Sequence, residues 1–125
     1  MREIKFRAWH KKQSKMIYDV QKTEMVHHAM SSWAGEPSGL DHYFDEEWYE
    51  LMQYTGLKDK NGKDIYEGDL LLSAFYRDKE NPVEVSWGDK NNGWNVNHKN
   101  GQEGPLLKIH QQSYEVIGNI FEGVD

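Results

Sequence analysis

The chain has 125 residues, a net charge of −6 and no cysteine, which suits one domain of ordinary size and excludes disulfide staples and thiolate metal sites. Hydrophobic residues make up only 37%, yet 5 Trp, 7 Tyr and 4 Phe supply enough large rings to fill a compact core. No uninterrupted apolar run exceeds three residues, far short of the roughly 20 that a membrane-spanning helix requires.

Residues 1–22 read as a β-hairpin. Ile4, Phe6 and Ala8 alternate with Lys5, Arg7 and Trp9, and Met16, Tyr18 and Val20 repeat the period of two after the polar residues 10–15. Trp9 and Met16 flank the loop. Gly35, Pro37 and Gly39 then mark a surface loop. From Asp41, a plausible N-cap, the apolar positions Phe44, Trp48, Leu51 and Met52 fall at helical spacing, with Asp45, Glu46 and Glu47 in the favoured first turn. A short helix over residues 41–50 is predicted.

Residues 51–121 read as a β core. Strands are predicted at 51–57 and 70–76, joined through Asn61-Gly62, a pair suited to positive φ at both positions of a tight type I′ turn. Glu67-Gly68-Asp69 forms a second turn. Further strands are expected at 82–87, with Val83, Val85 and Trp87 on one face, and at 94–98, 106–109 and 114–121. Short strands about ten residues apart, with Gly- and Asn-rich turns, indicate a single mainly-β domain over residues 1–125: a small curled sheet or an SH3-like, partly open barrel. Leu51, Tyr54, Ile65, Tyr66, Leu70, Leu72, Ile117 and Ile120 are the expected core.

The stretch LMQYTGLKDKNGKDIYEGDL (residues 51–70) resembles the central motif of the YopX family. The opening REIKFRAW (residues 2–9) and the closing YEVIGNI (residues 114–120) extend the resemblance in the family's order. The resemblance implies a mainly-β protein of bacteriophage or prophage origin acting in the bacterial host cytoplasm. The family has no established biochemical activity, so it implies no catalytic residues.

The motifs that would carry chemistry fail in detail. Gly56 and Gly62-Lys63 have five residues between the glycines and Asp64 where a phosphate loop needs Ser or Thr. Aligning Gly62 with the invariant glycine of an EF-hand loop puts Leu57 and Gly68 at essential ligand positions. No Ser lies in a G-x-S-x-G elbow. On a helix, His42, Asp45 and Glu46 would share a face able to gather a divalent ion, but a solvated acidic face explains the same residues without metal and is the preferred reading. His98 and His110 fall in strand candidates and read as structural. No enzyme, cofactor or membrane association is expected.

Charge is segregated along the chain. Residues 1–30 carry seven Lys and Arg against three acids, whereas residues 31–56 carry six acids and no Lys or Arg. Contact between the basic edge Arg2, Lys5, Arg7 and the acidic segment follows, within one chain or between copies in a homo-oligomer. With Trp9, Trp87 and Trp94 beside turns, these residues are the candidate interaction surface for a host or phage protein. Aromatics on a small β-barrel also suit single-stranded nucleic acid, but the net negative charge opposes it.

Overall fold

The computed structural model describes residues 3–22, 46–73, 77–89 and 92–124. The chain forms two compact units, Met1–Gln53 and Tyr54–Asp125, and is mainly β, as the turn spacing requires.

In the first unit, β1 (Phe6–His10) and β2 (Lys15–Tyr18) form the expected antiparallel hairpin, with Trp9 opposite Met16. The strand ends earlier than the alternation suggests. Asp19 adopts φ 56, which turns the chain out of the ladder, and Val20–Lys22 form one turn of 3-10 helix. Val20 is thereby buried with Ala8 and Tyr49, and Phe6, Ile17 and Leu51 pack around them. The Phe6 amide donates to Gln21 Oε1 at 2.8 Å, tying the 3-10 turn to β1.

The predicted helix over 41–50 lies partly outside the described residues. Its described end is not helical: residues 46–48 form a turn and Tyr49 opens β3 (Tyr49–Lys58). The first half of β3 pairs with β1, setting Tyr49 opposite His10 and Gln53 opposite Phe6. Two patterns overlap here. Trp48, Leu51 and Met52 suit a helix, while Tyr49, Met52 and Tyr54 are the positions that end up buried. Pairing with β1 satisfies the backbone and overrides the helical spacing.

In the second unit, the rest of β3 pairs with β4 (Asp64–Tyr66), Tyr54 facing Tyr66 and Lys58 facing Asp64 across a bulge. Thr55 Oγ1 serves the bulge, donating to the Ile65 carbonyl at 2.7 Å and accepting from the Leu57 amide at 3.2 Å. The remaining strands are β5 (Asp69–Leu72), β6 (Val83–Gly88), β7 (Gly93–Asn97), β8 (Glu103–Pro105), β9 (Glu115–Asn119) and β10 (Gly123–Val124). They form one antiparallel sheet in the order β10-β9-β5-β6-β7-β8. Its core gathers Ile65, Leu71, Val83, Val85, Val96, Leu106 and Tyr114.

Three expectations need correction. Leu71 and Leu72 are buried and Leu70 only half-buried, with Leu71 opposite core Val83 and Leu70 opposite Glu84 of β6. Ile120, expected in the core, lies just past β9 and is 47% exposed. Residues 106–109 are not a strand: Leu106 faces the core, and the chain enters a 3-10 helix at Lys108–Ser113.

The turn at Asn61-Gly62 also departs from expectation. Gly62 has φ 81, but Asn61 is not at positive φ. The Gly62 amide bonds to the Asp59 carbonyl at 3.0 Å and the Asp59 amide to the Lys63 carbonyl at 2.8 Å. This is a three-residue hairpin loop with glycine in the left-handed position after the turn, the commonest alternative to the two-residue loop. Only one positive-φ residue is needed, so Gly62 carries the whole requirement. Gly62→Val is expected to lower stability by about 1 kcal/mol or more. Thermal melts of the two proteins check this, and equal melting temperatures would refute it.

Asp59 explains why the loop takes this form. It is 3% exposed. Its Oδ1 accepts the Asn61 and Lys63 amides, each at 2.9 Å, and its Oδ2 accepts the Val116 amide of β9 at 3.0 Å. The Lys60 amide bonds to the Tyr114 carbonyl at 2.9 Å. The loop therefore fixes the start of β9 as well as its own shape. Asp69 repeats the device: its carboxylate accepts the Tyr66 amide at 2.8 Å across the β4–β5 turn, while the Gly68 amide bonds to Val85 and the Gly68 carbonyl accepts from Ile120.

Candidate functional site

The second unit contains a pocket of ≈ 230 Å³. Its floor is built from buried Ser73, Val83, Val96 and Tyr114. Val83 and Val96 come from β6 and β7, and Tyr114 stands where the Asp59 loop grips the chain before β9. Above them the 3-10 helix brings His110, and the segment leading into it brings Leu107 and Pro105. The Leu107 amide donates to the Tyr114 hydroxyl at 3.2 Å and Ser113 Oγ donates to the His110 carbonyl at 2.7 Å, which hold this rim in place. His98, just beyond β7, and Gly104 of β8 complete it.

The β6–β7 hairpin carries a separate aromatic feature. Trp87 and Trp94 are directly opposite in the ladder, their rings 5.1 Å apart and edge to face at 81°. Trp94 packs on the core, while Trp87 is 43% exposed. The expected single face of Val83, Val85 and Trp87 is thus a core face for the valines only.

In the first unit, the basic and acidic segments meet at Lys11, and the acids of residues 31–45 lie outside the described residues. Lys11 Nζ pairs with Glu50 at 3.2 Å and also donates to the Glu46 carbonyl. Lys12 sits over the Trp48 ring at 3.8 Å, and His10 packs edge to face on Trp48 and Tyr49. Lys5 pairs with Glu3 at 2.8 Å. Arg7 is 3% exposed, with its guanidinium 6.0 Å from the Tyr18 ring. Trp9 is half-buried. Arg2 lies outside the described residues.

Of the candidate metal ligands, His42 and Asp45 also lie outside the described residues, and Glu46 is exposed in a turn. No group of three His, Asp or Glu able to hold a metal occurs among the described residues. One carboxyl with a lowered pKa is Asp78, on an exposed turn, held down first by the Asn81 side-chain amide at 2.8 Å and then by the Glu80 amide at 2.9 Å. It is not among the pocket-lining residues, and it stabilises the turn.

The pocket itself was not legible in sequence. His98 and His110 read as strand residues, yet they meet at one rim because β7 ends before His98 and the chain turns helical at Lys108. Gly104 carried the only available signal, a glycine inside what became a strand.

Comparison with known proteins finds a family for the chain as a whole. The family model described as YopX protein matches residues 5–124. The crystal structure of protein EF1440 from Enterococcus faecalis is similar, with a TM-score of 0.58 and 26% identity, over 97% of this chain and 95% of that one. No curated protein matches the chain. No helix among the described residues is long and apolar enough to cross a membrane.

Proposed function

The chain belongs to the YopX family, and from that premise we propose that it is a phage or prophage protein acting in the host cytoplasm as a non-catalytic protein-interaction module that self-associates. The observation that carries this reading is Trp87, exposed on the β6–β7 hairpin and already ordered against Trp94. Tryptophan is the residue most enriched among interface hot spots. A ring fixed before binding loses little rotamer freedom when a partner covers it. The charge pairs offer less: Lys11–Glu50 is a partly exposed pair within one chain, the kind that contributes about 0–1 kcal/mol.

Sedimentation velocity over a concentration series tests the proposal. The expected result is a species larger than the monomer, with Trp87→Ala weakening its formation by more than about tenfold. A monomer at every concentration would overturn self-association. Salt-sensitive binding of a single-stranded oligonucleotide, lost in Trp87→Ala, would favour base stacking on this ring over a protein interface.

A further inference from the structure

We propose that the pocket beneath Leu107 and His110 binds a small carboxylic acid with a monocyclic aromatic or branched aliphatic body. This inference is independent of the Trp87 surface.

Size bounds the ligand. A cavity of about 150 Å³ holds a benzene ring, and sites for drug-sized molecules run from about 300 to 1,000 Å³. At ≈ 230 Å³ the pocket accommodates one ring with a short substituent. Chemistry narrows it further. Val83, Val96, Leu107 and the Tyr114 ring form an apolar interior, while the ionisable groups of the described lining are two imidazoles and the Tyr114 phenol, with no Asp or Glu. An apolar body therefore enters, and an anionic end meets the histidine rim.

Gly104 is the element that keeps the pocket open. It lies opposite Val96 in the ladder, so a side chain there would project on the same face as Val96, over the pocket. Its backbone does not require glycine: φ is not in the left-handed region, and an added Cβ would meet nothing within 4 Å. What glycine contributes at this position is vacant volume above Val96.

The same strand argues against an extended peptide as the occupant. His98 donates to Gln102 and Leu106 donates to Trp94, so the even-numbered backbone groups of β8 face β7 and Glu103 and Pro105 face outward. Proline has no N–H to offer, and the strand is three residues long. An added strand would find too few partners along this edge.

The test is a two-dimensional NMR titration of the full chain with 3-phenylpropionate, with 3-phenylpropanol as the uncharged comparison. Saturable shifts are expected at Val83, Val96, Leu107, His98 and His110. The alcohol should bind about tenfold more weakly, the effect of losing one hydrogen bond to a charged group. Gly104→Phe should fill the pocket and abolish the shifts while keeping the melting temperature and the remaining spectrum of the parent. His110→Ala, at the rim, should reduce discrimination between acid and alcohol without blocking entry. Unsaturable shifts with both compounds, or full binding retained by Gly104→Phe, would overturn the proposal. Equal affinity for acid and alcohol would overturn the carboxylate assignment. Preferential saturation by a capped peptide carrying an internal Phe would identify a protein segment, not a free acid, as the occupant.

Discussion

Replacing Asp59 by Ala is expected to lower stability by about 3 kcal/mol or more, which corresponds to a fall in melting temperature of roughly 10 °C for a chain of this size. The basis is a count of donors left without an acceptor. Asp59 is buried and accepts the amides of Asn61, Lys63 and Val116. A hydrogen bond to a charged acceptor contributes about 1.5–3 kcal/mol, less at the exposed Asn61 and Lys63 and most at the half-buried Val116. A carboxylate is the side chain that suits the position, since it presents two oxygens and no donor. Asp59→Asn retains the shape but sets an amide N–H₂ against a backbone N–H. It is therefore expected to fall between the parent and Asp59→Ala. Chemical denaturation of the three proteins reads the order directly. If Asp59→Asn and Asp59→Ala both matched the parent, the carboxylate would not be the link between the loop and β9. Because the loop also holds the Tyr114 carbonyl through Lys60, Asp59→Ala should loosen the floor of the pocket as well, seen as faster hydrogen exchange at the Lys60 amide.

The central motif was thus legible as an organising unit, while its mechanism was not. Asn-Gly between two apolar runs announces a turn. The choice between a two-residue loop and a three-residue loop depends on where the strands stop, and that was decided by a carboxylate two residues before Asn61 reaching an amide 57 residues away. Long-range bonds of this kind leave no local pattern. The N-terminal hairpin was readable down to the Trp9–Met16 pair because its partners are close in sequence and the alternation is strict. Residues 46–50 were misread because Trp48, Leu51 and Met52 satisfy helical spacing while β1 offers the same residues a ladder. The pocket was the least legible feature, being built from strand ends and a 3-10 segment, where neither the period of two nor that of 3.6 applies.

Leu71→Ala is expected to destabilise by about 2–5 kcal/mol, and Leu70→Ala by under about 1 kcal/mol. In the run Leu70-Leu71-Leu72 the sequence offers three equivalent side chains, and strict alternation would bury Leu70 and Leu72 together. Leu71 instead stands opposite Val83 of β6 and joins its core cluster, while Leu72 is buried outside that cluster. Leu71 is fully buried and packs within the cluster that includes Ile65, Val83 and Val85, so truncation removes apolar contact and leaves a cavity between two layers of close-packed side chains. Leu70, opposite Glu84 on β6 and Gly118 on β9, is half-buried and can shed its side chain toward solvent. The ratio of the two losses is the informative quantity, since errors in the reference state largely cancel between adjacent leucines. A larger loss at position 70 than at 71 would mean that Leu70, not Leu71, takes the core face.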